Sequence, residues 1–423
     1  MKNLKALIFL FSANTISGFA QGITMLAIPW HILGLAEGKF KNAMMVTTVT
    51  VIVLFWGLYA GTLIDKYNRK HIFLSTTGIG GLILLSISAF GFLNGGVNFP
   101  LIAMVYLMTV MLYSVHYPNL YAFVQELFEP EYYSRVNSAI EIQGQTTNFI
   151  GMMLGALLLD GTQEVNWWPE SWKFDAWSLH EIFLLDGITY VLGFICIALI
   201  PYTRSANWKP DKGKMIQRLK FGFNYLQQNP SIFIFGIASH VLFFSLIVVV
   251  QALGPIYVKE YLNESASVLS FFKGFYALGA LSAGLLGLST FIRKSNLVRQ
   301  IIFLLSFAGI LYFLLSVTQS IWITLLGGFL LGICNAGTRI HRITYLVRIV
   351  PNEVIGRANS FFAVVNILMR AAFIALLAVP FFADEGNGPN IIYASLLLSL
   401  IMFLAAGVLW AKFDAFDKEA SSG

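Results

Sequence analysis

The sequence predicts an all-α integral membrane protein in which twelve transmembrane helices form two halves of six. Three observations predict this class: an apolar composition, twelve long apolar runs, and a motif that occurs once in each half. Of the 423 residues, 57% are hydrophobic and 11% are charged, whereas an ordinary soluble domain is about 25% charged. A soluble core cannot bury this much apolar sequence, and a lipid bilayer can.

The apolar runs are long enough to cross a membrane as helices, since a spanning helix needs about 20 mostly apolar residues. Spanning segments are helices or closed barrels, and these runs exceed the about 10 residues of a barrel strand. The predicted spans are 5–34, 43–64, 71–93, 99–127, 134–160, 180–201, 231–258, 266–291, 298–318, 320–347, 355–384 and 390–412. We predict no cleavable signal peptide, because Lys2 and Lys5 precede an apolar run longer than a typical signal core.

Lys and Arg residues are distributed unevenly between the two sets of loops. Nineteen of the 27 lie at the termini or in loops after even-numbered spans, and four lie in the other loops. Because basic residues are enriched on the cytoplasmic side, we expect both termini in the cytoplasm. We therefore interpret the net charge of +6 as membrane orientation next to anionic lipid, and not as a nucleic-acid-binding surface.

A polar linker divides the chain into a six-helix bundle over 1–202, a linker over 203–230 and a second bundle over 231–423. Within the linker, the apolar residues of 212–228 recur at helical spacing and predict an amphipathic helix on the membrane surface. The halves share a motif in which a proline and an acid precede Arg-x-Asn-Ser. It ends with Arg135 to Ser138 at the start of the fifth span and with Arg357 to Ser360 at the start of the eleventh, 222 residues later.

Residues 61–70, Gly-Thr-Leu-Ile-Asp-Lys-Tyr-Asn-Arg-Lys, lie between the second and third spans and are predicted to form a tight charged loop. With the duplicated motif, this stretch resembles the signature loop of the major facilitator superfamily, a large group of secondary transporters built from two repeats. The duplicated motif, the Phe-Leu-Leu-Asp opening of helix 6 at 183–186 and the Asn229-Pro230 entry to helix 7 are similar to the branch of macrolide-efflux proteins and the enterobactin exporter. That branch commonly has Gly-Asp in helix 1, where this chain has Gln21-Gly22.

The resemblance covers the whole chain and implies a monomeric carrier of the bacterial inner membrane that works by alternating access. It implies that helices 1, 4, 7 and 10 line a central cavity, with helices 2, 5, 8 and 11 at its sides. It also implies gating roles for Gly61, Asp65, Arg69, Lys70, Arg135 and Arg357. Asp65 is expected to meet the positive amino end of helix 11, and Arg69 and Lys70 are expected to meet acids such as Glu126. The other interpretation of this loop is plain membrane anchoring.

Polar side chains inside the spans are the candidates for substrate binding, because ionisable groups in lipid are costly and usually face a cavity or a partner. Helix 5 carries a polar stripe on one face at helical spacing, and helices 4, 10 and 11 carry aromatic, amide or basic groups. The residues that we select are Gln21, Tyr113, His116, Tyr117, Gln145, Asn148, Asn335, Arg339, Asn366 and Arg370. The other interpretation is interhelical hydrogen bonding and aromatic packing. For Arg342 we favour snorkelling to the cytoplasmic surface.

Glu141, on the helix 5 stripe, is the leading candidate for a proton-coupling group, and His116 is the second. For Glu141, a permanent ion pair with Arg339 or Arg370 is an equally weighted interpretation. Asp160 and Asp186 are predicted near the outer ends of helices 5 and 6, where capping or surface pairing is expected instead of coupling.

The charges predicted inside the spans are mainly cationic, with Lys273, Arg339, Arg342 and Arg370 against the central acid Glu141. A cavity of that sign favours anionic or zwitterionic solutes. No P-loop, His-Glu-x-x-His, Cys-x-x-Cys or Gly-x-Ser-x-Gly pattern occurs, so we predict neither an enzyme nor a bound cofactor or metal.

The predicted function is secondary active transport, most specifically proton-coupled export of an amphiphilic organic anion or zwitterion such as a siderophore-like metabolite. The predicted partners are the small-molecule substrate, protons and the bilayer. Three alternatives stay open: a broad drug or macrolide efflux pump, a lipid or lysolipid translocator, and a carrier-like receptor without net transport.

Overall fold

The computed structural model describes residues 4–129, 132–162, 173–202, 215–287, 296–384, 386, 388–414 and 416. In this part of the chain the regular structure is helical, without strands. The long helices are α1 (Leu4–Ile32), α2 (Gly38–Lys66), α3 (Arg69–Asn94), α4 (Phe99–Leu127), α5 (Tyr133–Asp160), α6 (Leu179–Ala198), α7 (Pro230–Tyr261), α8 (Ala266–Gly287), α9 (Leu297–Val317), α10 (Ile321–Ile349), α11 (Asn352–Leu376) and α12 (Ile391–Ala411). A shorter linker helix spans Met215–Gln228.

The lengths and compositions of these helices fit a membrane. Eleven helices of the described chain are long and apolar enough to cross a bilayer. The remaining long helix, α5, is the one with the predicted polar stripe. Large apolar side chains such as Leu82 (70% exposed) and Trp322 (80% exposed) point outward, as expected for surfaces that face lipid. The predicted fold class, an all-α integral membrane protein, is confirmed.

The signature stretch does not form the loop that the sequence predicts. Helix α2 continues to Lys66 and α3 begins at Arg69, so Tyr67 and Asn68 alone connect the two helices. The side chain of Asn68 accepts hydrogen bonds from the amides of Lys70 and His71, which is the preferred way to begin a helix. This strong cap permits a two-residue connection, and it places positions 61 and 65 within α2.

The predicted eleventh span is also corrected. It was expected to cover 355–384, but α11 ends at Leu376 and a separate helical turn covers Pro380–Ala383. Proline has no amide proton to donate and disfavours helical geometry in the residue before it. Val379 accordingly has an extended backbone, with ψ of 142°.

The described chain falls into two compact units. Unit 1 comprises Met1–Leu35, Ile52–Lys212 and Ser265–Ser270, and in it α1 packs on α5 and α6 while α3 packs on α6. Unit 2 comprises Ala36–Val51, Gly213–Glu264 and Phe271–Gly423. In unit 2, α9 packs on α10 and α12, and α11 packs on α7 and the linker helix. The boundaries at 202 and 230 that we placed from the sequence stay predictions.

Equivalent helices of the two halves begin with the same capping residues and the same kind of turn. Asn68 caps α3 and Asn296 caps α9, and each side chain accepts from the amides two and three residues ahead. The turns before α2 and α8 use left-handed residues, Glu37 (φ 54°) and Asn263 (φ 55°). These parallels agree with an internal repeat.

The crossing of α1 and α5 brings the polar faces of both helices close together. A Cβ at Gly151 would lie 2.2 Å from the carbonyl oxygen of Phe19, and one at Gly22 would lie 2.4 Å from the carbonyl oxygen of Asn148. Small residues at such crossings let two membrane helices approach closely. Side chains of α1 and α5 can therefore hydrogen-bond directly.

Candidate functional site

Unit 1 contains a small polar cavity between α1, α3, α4 and α6. Its walls are Ser17, Gln21, Thr76, Thr77, Thr109, Leu112, Tyr113, His116 and Tyr190. The space open to the centre of a water molecule is about 30 Å³, and one water needs roughly 10–15 Å³ of such space. The cavity thus has room for about two waters and unites three predicted residues, Gln21, Tyr113 and His116.

A chain of amide hydrogen bonds begins at the wall of this cavity. The His116 Nε2 atom lies 3.2 Å from Asn14 Oδ1, and Asn14 Nδ2 donates to Gln143 Oε1 at 3.0 Å. Gln143 Nε2 donates to the Phe11 carbonyl at 2.7 Å and also to the Thr15 hydroxyl. The sequence analysis did not select Asn14 or Gln143. Gln143 lies outside the predicted polar stripe of α5, which contains Gln145. For Asn14, the signal in the sequence was an amide side chain in the middle of an apolar run.

The aromatic residues of α4 form a row beside this chain. The Tyr113 and Tyr117 rings are 4.8 Å apart between centroids, and the His116 and Tyr117 rings are 5.4 Å apart. Tyr121 continues the row at 6.2 Å from Tyr117. Tyr113 is 37% exposed, so the row presents an accessible aromatic edge. Edge-to-face aromatic surfaces of this kind suit planar, amphiphilic ligands.

The predicted stripe on α5 is described in part. Gln145 is exposed and Asn148 is half-buried. The side chains of Glu141, Arg135 and Asp65 lie outside the described part of the structure, and so do the surroundings of Gly61. Their predicted roles stay predictions.

Asp186 is not at the surface, contrary to the interpretation from the sequence. Its side chain is 2% exposed and its Oδ2 atom accepts a hydrogen bond of 2.5 Å from the Thr24 hydroxyl of α1. Asp186 is seven residues into α6, about 10 Å along the axis. That depth is too great for a short side chain to reach the helix end, which explains why surface pairing is absent.

The predicted gating cations contact groups of unit 1. Arg69 Nη1 lies 3.1 Å from Glu126 Oε1, as expected, and also donates to the Ala122 carbonyl. Lys70 Nζ instead donates to the carbonyls of Ala198 and Ile200, at 2.8 and 2.7 Å. These bonds attach the beginning of α3 to α4 and to the end of α6. They show anchoring within one unit and leave the gating roles as predictions.

In unit 2, Arg342 is buried, which corrects the expectation that it snorkels to the surface. Its side chain is 7% exposed, and Nη1 donates to the Ser239 carbonyl of α7 at 3.0 Å. Arg339, one turn earlier on α10, is exposed and lies close enough to interact electrostatically with Arg342. The helix therefore turns Arg342 towards α7, and the sequence could not predict which of the two arginines α7 would cover.

Helix α8 faces the same side of α10. Asn335 Nδ2 donates to the Tyr276 hydroxyl at 2.9 Å, and Arg339 lies within electrostatic range of Tyr276. Lys273, one turn before Tyr276, is 6% exposed. We call Lys273, Tyr276, Asn335, Arg339 and Arg342 the cationic face. In the described part of the chain no carboxylate pairs with its three cations.

Helix α11 places polar and basic side chains next to the cationic face. Asn366 Nδ2 donates to the His240 carbonyl of α7 at 3.3 Å, and the His240 ring stacks on Phe362. Arg370, one turn after Asn366, is half-buried. Arg357 is half-buried at the beginning of the helix, where the linker helix approaches its carbonyl oxygen at Gly222.

Comparison with known proteins identifies the family. Residues 10–374 match the family model described as Major Facilitator Superfamily, so the chain belongs to this superfamily of membrane transporters. No curated protein matches the chain. By its family the protein is a multi-pass membrane transporter, while the macrolide and enterobactin branch stays a prediction.

Solved structures share the fold over almost the whole chain. A variant of the nucleoside transporter NupG is 13% identical with a TM-score of 0.74, and covers 96% of this chain and 100% of its own. A bacterial homologue of the iron transporter ferroportin, in an inward-facing state, is 17% identical with a TM-score of 0.70 and covers 99% of both chains. A D-xylose-proton symporter is 13% identical with a TM-score of 0.66, and covers 96% and 97%. At these identities the likeness shows the fold alone.

Proposed function

We propose that this transporter is a proton-coupled exporter of an amphiphilic organic anion or zwitterion. The observation that carries the proposal is the cationic face of unit 2. Arg342 is buried on α10 beside Arg339, and Lys273 is buried on α8 one turn before Tyr276. In the described chain no carboxylate pairs with any of the three. Uncompensated cations inside a membrane are costly and mark substrate pathways. An anionic group on the solute would compensate them.

The aromatic row of unit 1 supports an amphiphilic solute. Tyr113, Tyr117 and Tyr121 offer ring edges along α4, and Gln145 and Asn148 of α5 supply amides. Rings with polar tips bind the apolar part of a ligand and hydrogen-bond its substituents. A catecholate siderophore, which is anionic and aromatic, has both features.

Proton coupling and export are the finer parts of the proposal. Glu141 is proposed as the coupling acid, and His116 is less suited because its ring already meets Asn14, Phe73 and Tyr117. A proton symporter with the same fold is a precedent for proton coupling on this architecture. Export, a bacterial inner membrane, cytoplasmic termini and a monomer follow from the sequence resemblance and the distribution of basic residues.

The test is flux and proton movement in proteoliposomes with four probes: a catecholate siderophore, a macrolide, a cationic dye and a lysophospholipid. We expect the siderophore to move with opposite proton flow, and Glu141→Gln to abolish the proton movement. Arg339→Ala should reduce siderophore flux selectively, whereas the exposed Arg348→Ala at the end of α10 should not. Equal transport of anionic and cationic probes would overturn the charge argument.

The other outcomes identify the alternatives. Preferred flux of the macrolide would indicate a drug exporter, and preferred flux of the lysophospholipid would indicate a lipid translocator with a cationic pocket. Binding without flux for each probe would indicate a carrier-like receptor.

A further inference from the structure

The Asp186 carboxyl of α6 is a buried acid that the proposed function does not use. Its side chain is 2% exposed, about 10 Å into the helix. In the described chain, hydroxyl groups are its partners: Thr24 donates to Oδ2 at 2.5 Å, and Thr189 lies 3.5 Å from Oδ1. A buried carboxylate charge is costly unless it is compensated, and two hydroxyls compensate it less than a cation does.

Among the described residues, the two helices that pack most closely on α6 present no basic group to this carboxyl. Helices α1 and α3 form the main contacts of α6 in unit 1. The facing side of α1 carries Thr24, and the facing side of α3 carries Leu85 and Ser88. The charged and titratable side chains of α1 and α3 lie near the helix ends: Lys5, His31, Arg69, Lys70 and His71.

The titratable groups of α6 within two turns of Asp186 are also accounted for. Glu181 is bonded to Ser178 in the cap of the helix, and the His180 ring packs on Phe92. Tyr190, one turn after Asp186, lies within electrostatic range of the carboxylate. Tyr190 is thus the titratable neighbour of Asp186, and it is neutral at ordinary pH.

Asp186 and Thr24 are not among the walls of the unit 1 cavity, but each shares a helix face with a residue that is. Tyr190 lines the cavity and follows Asp186 by one turn of α6, while Gln21 lines it and precedes Thr24 by one turn of α1. Residues three or four apart share a helix face. The carboxyl and its hydroxyl donor therefore lie on the faces that border the cavity, which has room for about two waters and is also lined by His116.

We propose that Asp186 is a second proton-binding acid in unit 1, which acts in series with Glu141, so that replacing either acid stops the coupled proton movement. The carboxylate takes a proton from water in the cavity, and the carboxylic acid returns that proton to water there. Thr24 positions the carboxyl by donating to Oδ2. This inference rests on proton coupling in the proposed function and adds a second residue that binds the proton.

The test uses the full-length protein and two independent readouts. The first readout is infrared difference spectroscopy as the pH is changed. It detects the carbonyl stretch of a protonated carboxyl group and needs no substrate. We expect a band that is present in the wild type and in Asp160→Asn, an exposed acid, and absent from Asp186→Asn, which keeps the shape and most hydrogen bonds. Thr24→Val should shift the frequency of the band and the midpoint of its pH titration. If Asp186→Asn does not fold, Thr24→Val provides the test in its place.

Proton release on addition of the four probes is the second readout. Coupled proton movement in the wild type that is lost in Asp186→Asn supports the inference. Proton movement that persists in Asp186→Asn, or a spectrum unchanged by both substitutions, overturns it while leaving the proposed function intact. A titrating Asp186 band in a protein that moves no protons with any probe would instead refute proton coupling in the proposed function and the coupling role of Asp186 with it.

Discussion

Replacement of Lys273 is expected to affect transport without lowering the stability of the protein. Its side chain on α8 is 6% exposed, and in the described chain its amine has no hydrogen bond or ion pair. Replacing buried charged groups with apolar ones of similar volume is often neutral or stabilising by about 1–4 kcal/mol. An uncompensated buried cation is therefore kept for a reason other than stability, and the proposed reason is the solute's negative charge.

We predict that Lys273→Met leaves the midpoint of thermal unfolding unchanged or raises it, while anionic-probe flux falls by about tenfold or more. The fall reflects the loss of a charge-assisted bond of roughly 1.5–3 kcal/mol. Lys39→Met is the matched control, because Lys39 is also 6% exposed but its Nζ donates to the Asp384 carbonyl at 2.7 Å. Lys39→Met should lower the midpoint and leave charge selectivity unchanged. A Lys273→Met protein that is less stable and equally active would refute the prediction.

The arginines of α10 show how far the sequence predicts a site. Their helical spacing places Arg339 and Arg342 on one side of the helix, and in the structure Arg342 lies near α7 while Arg339 lies near Tyr276 of α8. Which of them is buried depends on the position of the Ser239 carbonyl, a tertiary feature with no signal in residue spacing. Asp186 was misjudged for a similar reason, since its burial depends on Thr24, 162 residues away in the chain.

At the scale of elements, the beginning of α3 is held by one partly buried ion pair. The Arg69 and Glu126 side chains are 16% and 13% exposed, with Nη1 and Oε1 separated by 3.1 Å. Glu126 also accepts a hydrogen bond from the Tyr202 hydroxyl, which follows α6. One carboxylate thus connects three elements of unit 1.

We predict that Glu126→Gln destabilises the protein by about 1–3 kcal/mol, because it leaves the Arg69 charge without its anionic partner. The measurement is the midpoint of thermal unfolding of the purified protein. Glu129→Gln is the control, since Glu129 is an exposed acid three residues later. Equal midpoints for the two variants would show that the ion pair adds nothing to stability.

The helix bounds could be read from the sequence more accurately than the site. Hydropathy located α4 at the residues where the structure has it, Phe99–Leu127, because long apolar runs have no other stable arrangement in lipid. Errors occurred where local chemistry outweighed hydropathy: the Asn68 cap extended the helices into the signature stretch, and Pro380 ended α11 early. Both signals are present in the sequence as a capping residue and a proline.

At the scale of the whole molecule, Asp65 of the signature stretch is expected to change the relative populations of the inward-open and outward-open states. By resemblance, Asp65 meets the amino end of α11 when the cytoplasmic side is closed. An anion at a helix N-terminus is stabilised by about 0.3–1 kcal/mol. We predict that Asp65→Asn raises the ratio of inward-open to outward-open protein roughly two- to fivefold, the equivalent of that energy.

The measurement is a distance distribution between spin labels at Ala176 of unit 1 and Asn263 of unit 2, both exposed. The background needs serine at Cys196 and Cys334, the free cysteines of the chain. In Asp65→Asn the population with the shorter distance should grow, because the predicted topology places both labels on the outer side, which closes as the inner side opens. Asp414→Asn, at an exposed acid after α12, should leave the distribution unchanged. An unchanged distribution in Asp65→Asn, with the fold intact, would leave membrane anchoring as the role of this stretch.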